Sequence, residues 1–313
     1  MSVKVAALGG GHGLAASLSA LRLLDTDLTG IVTVADDGGS SGRLREELGG
    51  LPPGDLRMAL AALCADDAWG RRWASVLQHR FTSDGPLHDH AVGNLLIAGI
   101  WDLLGDHVDG LDLVGRLLGA RGRVLPMAAV PLTIEADVHL DAAPDRLTVV
   151  RGQVEVASVH GQVVSVRLDP VDPPACPEAV DAVDAADWVV IGPGSWFTSV
   201  MPNLLVPQLR EALVRTSARR ALVLNLQEQE GETEGLSPTD HLEVLAAHAP
   251  DLRLDVVVAD TSLVDDDGVL ERAAAQLGAE VVSAPMATAP DSDQHDPALL
   301  SAVFHAVLAA GVG

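Results

Sequence analysis

The sequence predicts an α/β protein: a doubly wound, mainly parallel Rossmann-like sheet with a small antiparallel β insertion at about residues 130–170. Three observations carry this. Short, continuous apolar runs alternate with segments of helical period, as buried parallel strands alternate with their crossover helices. The first 37 residues read strand, glycine loop, helix, strand, which is a βαβ opening. The apolar period drops to two only between Pro131 and Leu168.

Val3–Leu8 is the first strand, Gly9–Gly13 the loop, and Leu14–Leu24 a helix with Leu14, Leu18 and Leu21 on one face. Gly30–Ala35 is β-branched and suits a strand buried on both faces. Helical patterns follow at about Asp55–Leu63, Trp69–Gln78 and Ala91–Leu104. Pro131–Leu140, Leu147–Val156 and Gln162–Leu168 alternate and are separated by turn formers, so all three are expected as antiparallel strands. Alternation of strand and helix then resumes. Strands are expected at Trp188–Ile191, Ala221–Leu224, Val256–Ala259 and Ala279–Ser283, and helices at Leu204–Val214, Pro238–His248 and Pro297–Ala309. With no internal repeat or linker in view, the expectation is one domain over residues 1–313.

Composition narrows the function classes. The 313 residues carry 44 acids against 20 bases, nineteen of them Arg with Lys4 alone, for a net charge of −24. Nucleic acid and anionic membrane surfaces would repel such a chain. Small anionic ligands stay in play, because they feel local dipoles more than the mean field. Cys64 and Cys176 form no CxxC and are expected as buried thiols. The apolar run in MSVKVAALGGG is too short for a secretory signal, and no stretch reaches the roughly 20 apolar residues of a membrane span. A cytoplasmic protein is expected.

Ligands of open parallel sheets sit beyond the carboxyl ends of the strands, so the loops there carry the candidate chemistry. Gly10, Gly11, His12 and Gly13 lie in the first; Gly11-x-Gly13-x-x-Ala16 fits a phosphate-approaching turn that opens a helix. His12 either donates to a phosphate or points to solvent. Asp36 and Asp37 stand where a dinucleotide fold places its ribose acid, yet they are followed by GGSSG and Arg43-x-Arg45. Ser40 and Ser41 can form a second anion nest with those glycines, and Arg43 can pair with phosphate. Alternatively the acids hold Mg²⁺, with Asp55 joining them; Asp55 is equally placed to cap the helix that follows. Three histidines, His79, His88 and His90, have irregular spacing for zinc, whereas Asn94 can reach a ligand hydroxyl. Later, Gly192, Gly194, Ser195 and Ser199 form a third glycine and hydroxyl turn beyond a buried strand. Asn225 ends another strand, and the acidic run after it reads as a solvated loop in which only Asn225 and Thr233 gain weight from position.

Together, GGGHGLAASLSALR, TVADDGGSSGRLREELG, PPGDLR, GNLL, GRVLP, GPGSWFTSVMPNLLV and GETEG…DH resemble the YvcK group of the YvcK/CofD-like family, from about residue 5 to residue 260. The resemblance implies a CofD-like variant of the Rossmann fold and a non-catalytic or weakly catalytic protein that binds UDP-sugars. It also implies a role in carbon use and cell shape during gluconeogenic growth. The CofD branch implies the alternative, a Mg²⁺-dependent transferase of 2-phospho-L-lactate from a nucleotide-activated donor. On the matching strings the implied ligand residues are Gly10, Gly11, Gly13, Asp36, Asp37, Ser40, Ser41, Arg43, Asn94, Gly192, Gly194, Ser195, Ser199, Asn203 and Asn225. Asp37 and Asp55 are the implied metal acids; no catalytic residue is assigned, and homo-oligomerisation is left open. His12 departs from the usual Thr, Met58 from Asn and Asp89 from Gly. Gln227-Glu228-Gln229-Glu230 replaces the usual MTQP, and these added acids put sugar preference in doubt more than binding. An NAD-type oxidoreductase, from GxGxxA and one strand-end acid, is the weakest reading.

Overall fold

The computed structural model describes residues 2–229, 231–264, 267–290 and 292–310. Its strands are β1 (Val3–Gly9), β2 (Thr26–Val32), β3 (Arg123–Pro126), β4 (Thr133–Leu140), β5 (Leu147–Arg151), β6 (Gly161–Asp169), β7 (Trp188–Ile191), β8 (Arg219–Val223), β9 (Val256–Asp260) and β10 (Glu280–Ala284). The helices before the insertion are α1 (Gly11–Leu21), α2 (Gly39–Leu48), α3 (Gly54–Leu63), α4 (Ala68–Gln78), α5 (Val92–Leu104) and α6 (His107–Leu118). Those that follow are α7 (Gln153–Ala157), α8 (Pro177–Asp184), α9 (Met201–Leu205), α10 (Pro207–Arg215), α11 (Pro238–His248), α12 (Val269–Gln276) and α13 (Pro297–Ala310).

Seven parallel strands pair in the order β10-β9-β8-β7-β1-β2-β3, and β5-β4-β6 form the separate antiparallel sheet. The expected doubly wound sheet with a small antiparallel excursion is what the chain forms. β1, β7 and β9 are apolar along their length because both faces are covered. α1 packs on α3 and α13, while α10 packs on α8. From β1 the chain winds one way through β2 to β3, then returns to β7 and winds the other way. The reversal puts the switch point between the carboxyl ends of β1 and β7.

Several expectations need correction. β2 ends at Val32, in register Val3↔Thr26 to Gly9↔Val32, not at Ala35. Thr33 ends the ladder by turning its hydroxyl onto the Gly9 and Ser199 carbonyls. Leu147–Val156 is not one strand: Gly152, at φ +107°, stops β5, and α7 follows. GGSSG is not a loop nest but the start of α2, where a Cβ on Gly42 would lie 2.0 Å from the Asp37 carbonyl oxygen. The helix expected at Leu204–Val214 is split by Pro207 into α9 and α10, and a π-helical turn, Trp196–Val200, precedes them. β3, α6, α8 and α12 carry no expectation from the sequence, being short or of mixed period. Asp55 does not cap α3; the N-cap is Pro53 and Asp55 lies in the first turn. Ser237, by contrast, caps α11 in a capping box with Asp240, and Pro238 sits in the first turn. Cys64 and Cys176 are free and buried.

The two turns at the switch point touch backbone to backbone. A Cβ on Gly13 would lie 2.3 Å from the Pro193 carbonyl oxygen and 2.5 Å from the Gly194 Cα. Neither neighbour is a side chain that can swing away. Gly13→Ala is therefore expected to cost about 3 kcal/mol or more in urea unfolding, whereas Gly99→Ala, inside α5 with nothing within 4 Å of its Cβ, is expected to gain up to about 1 kcal/mol.

Candidate functional site

The site grows from what lies beneath and beside that contact. Gly10 passes over the Asp55 carboxylate, so that a Cβ there would sit 2.6 Å from Asp55 Oδ2 and 3.1 Å from Ser199 Oγ. Asp55 Oδ2 is buried and has no hydrogen-bond partner. Burial first, and the neighbouring Asp36 second, push the Asp55 carboxyl up to about 7, against the Gly11 N–H and the Arg57 guanidinium. Asp36 is raised as well, by burial, despite hydrogen bonds from Ser41 and the Gly38 N–H. Asp36 and Asp55 are thus the acids that share a field, at the N-termini of α2 and α3.

Asp37 goes elsewhere. Its two oxygens accept the Gln153 and Val154 N–H groups at 3.0 and 3.1 Å, which caps α7 and ties the insertion to the β2–α2 loop. The other end of α7 lies against Gly231, where a Cβ would sit 3.3 Å from the Ala157 carbonyl oxygen. α7 therefore bridges the loops that follow β2 and β8. Of the two expected metal acids, only Asp55 stands in the acid pair; its partner is Asp36. Among the described residues no group of three or more His, Cys, Asp or Glu is arranged to hold a metal ion.

Several expected ligand residues face one another. Ser40 Oγ accepts the Ala91 N–H and the Asn94 amide and pairs with His90 Nδ1. Asn94 Oδ1 in turn accepts Arg57 Nε at 2.8 Å, and its amide also reaches Ser41. This buried polar chain locks α2, α3 and α5 together. Burial lowers the Arg57 pKa, with the like charge of Arg80 adding to the effect. Arg43 donates to the carbonyls of Gly39, Pro86 and His88, and Arg45 to the Leu132 carbonyl and the Thr133 hydroxyl. His12 is exposed on the first turn of α1.

At β7, Asn225 forms a closed amide pair with Gly194: it accepts the Gly194 N–H at 2.8 Å and donates to the Gly194 carbonyl at 2.9 Å. Gly192 stands at φ +73°, and its carbonyl accepts the Ser17 hydroxyl of α1. Asn203 donates to Thr33 and to the Ser199 carbonyl, so it fastens the π-helical turn to the end of β2. Glu232 is the residue that sequence reasoning missed. It is buried and accepts the Phe197 and Thr198 N–H groups at 2.8 and 2.9 Å together with the Ser195 hydroxyl. Burial raises its pKa against those bonds. The surrounding run QEQEGETE hides it, and its neighbour Glu230 lies outside the described residues. Thr233 is buried too, accepting the Gln229 N–H.

Two outcomes follow. The folded Asp55 pKa of about 7 lies above its ordinary 3.8, so its protonated form is the favoured one; stability is fully present below about pH 4 and is lost as pH rises through 7. Across that window the loss is on the order of 4 kcal/mol. Asp55→Asn is expected to remove this fall, gaining stability over the wild type at pH 8 but not at pH 4 in urea unfolding. Glu232→Ala strands two buried N–H groups and is expected to lower stability by about 3 kcal/mol, with Glu232→Gln retaining most of it.

Known proteins match this geometry and sequence closely. The family model for 2-phospho-L-lactate transferase CofD matches residues 5–292. A Mycobacterium tuberculosis relative is 55% identical over 317 residues, covering 100% of this chain and 92% of its own length. The gluconeogenesis factor of Bacillus subtilis is 37% identical over 264 residues, covering 84% of this chain and 80% of its own. The crystal structure of a UPF0052-family protein from Bacillus halodurans superposes with a TM-score of 0.86 at 33% identity, over 97% of this chain and 99% of that one. Among the described residues no helix is long and apolar enough to cross a membrane. The chain belongs to the CofD/UPF0052 family, among relatives named gluconeogenesis factors.

Proposed function

We propose that this protein is a nucleotide-sugar-binding regulator, non-catalytic or weakly catalytic, of carbon metabolism during gluconeogenic growth, acting in the cytoplasm. The observation that carries the binding reading is the meeting of the Gly10–Gly13 and Gly192–Ser195 turns at the switch point, where backbone can approach a diphosphate closely. α1 also begins here, at Gly11, with no side-chain cap, and the His12 and Gly13 N–H groups of its first turn have no intrahelical partner. The names of the relatives support the metabolic context; a role in cell shape and the choice of UDP-sugars rest on the family resemblance.

One observation favours a second reading, transfer of a phosphate ester. Asp36 and Asp55 form a close acid pair, and Asp55 Oδ2 is buried without a partner. Mg²⁺ takes one or two carboxylates and completes its shell with water and phosphate oxygens, and this pair fits that need, whereas Asp37 does not. A Mg²⁺ ion bound there would neutralise charge on a phosphate ester. The protein's own part would be to orient Asp55 with the Gly11 N–H and Asp36 with Ser41, while the metal's charge would draw off the proton that burial favours on Asp55.

Thermal unfolding with UDP-glucose, UDP-N-acetylglucosamine, GDP and GTP, each with and without Mg²⁺, separates the readings. A ligand at 100 times its Kd adds about 2.7 kcal/mol. Selective stabilisation by UDP-sugars without Mg²⁺ is expected. A guanine-nucleotide response that needs Mg²⁺ and disappears in Asp36→Asn would favour the transferase instead.

A further inference from the structure

Beside the switch point a cavity of about 390 Å³ opens at the carboxyl end of β8. Leu224, Leu236, Pro238 and Leu263 form its apolar walls, with Glu228 on the exposed side and His241 on the buried side. Neither Lys nor Arg is among its lining residues.

The polar lining is uncharged apart from one carboxylate: Asn225 and Gln227 are amides, His241 an imidazole and Glu228 the acid. His241 Nδ1 lies 2.8 Å from the Ser237 carbonyl oxygen, which only accepts, so Nδ1 carries the hydrogen and Nε2 presents a lone pair. That Nε2 is buried and has no partner. Trp196 packs edge-on against the imidazole, with ring centroids 4.9 Å apart, and fixes its plane. Burial lowers the His241 pKa and so keeps the ring neutral. At the mouth, Glu228 accepts the Gly235 N–H at 2.8 Å, which holds its carboxylate in place. Among the described residues the cavity thus offers neutral hydrogen-bonding groups and one carboxylate, and no cation. It suits a neutral group that donates hydrogen bonds and repels a phosphate or a carboxylate. Asn225, also in the lining, has its amide bound to Gly194 and so joins the cavity to the turn expected to hold phosphate.

We propose that this cavity is the subsite for an uncharged, hydroxyl-bearing sugar ring, and that Glu228 makes this chain reject sugars carrying a carboxylate. The inference rests on the nucleotide-sugar reading. Sugar hydroxyls bond to the exposed Gln227 amide and Glu228 carboxylate, while the apolar faces of the ring lie against the leucines.

UDP-glucose and UDP-glucuronic acid differ only at C6, a hydroxymethyl group against a carboxylate, and calorimetric titration of both into the wild type and Glu228→Gln tests the proposal. Two like charges about 6 Å apart at the edge of solvent weaken binding about tenfold. The wild type is expected to bind UDP-glucose about tenfold more tightly. Glu228→Gln, which keeps the Gly235 hydrogen bond, is expected to bring the two within about threefold. Equal affinities in the wild type would overturn the subsite while leaving the nucleotide-sugar reading intact. A preference that survives in Glu228→Gln would overturn the role of Glu228. If neither compound binds, the nucleotide-sugar reading fails and the subsite falls with it.

Discussion

The closeness with which the turn after β1 meets the turn after β7 governs the rest of the molecule. Adjacent parallel strands leave their loops less than two backbone widths apart, and here no side chain separates them at Gly13 and Gly194. Everything around the contact holds it in place. Asn225 fixes the Gly194 peptide from β8, Asn203 and Thr33 fix the π-helical turn from β2, and Glu232 gathers the N–H groups of that turn from beyond β8. Residues that would pass for ligand contacts in a list of polar side chains are largely committed to bringing two stretches of backbone together.

This arrangement reconciles a net charge of −24 with the anionic ligand of the proposed function. Asp55, beneath the first glycine turn, is buried and held toward its neutral form by burial and by the neighbouring Asp36, so this pair contributes less negative charge than its number suggests. On the proposed reading an anion would meet backbone N–H groups, whose dipoles act over a few ångströms. The arginines of the GRLRE segment donate to neighbouring carbonyls.

The fold class was legible because its signal is long-range and redundant: buried parallel strands read as apolar runs wherever they fall. The carboxyl-end loops followed from that, which is why Gly13, Gly194 and Asn225 could be singled out. Which atoms meet was not legible. Asp36 and Asp37 are adjacent and chemically identical in sequence, yet one turns down to Asp55 and the other out to α7, a choice made by an insertion more than 100 residues away. Leu147–Val156 kept strand alternation past the point where Gly152 and the Asp37 cap turn it into a helix. Glu232 sat among exposed acids, and only its three donors distinguish it. In each case tertiary partners overrode a local pattern that was read correctly as far as it went.

The backbone contact at the switch point also bears on heredity. A side chain cannot be added on one turn unless the other has already moved, and the other is held by Asn225, Glu232 and Thr33. Single changes there must pass through a misfitted ancestor, so the two turns are inherited as one unit although about 180 residues of chain separate them. The rim, where Gln227 and Glu228 stand exposed, lies outside this constraint, and a substitution there leaves the backbone contact untouched.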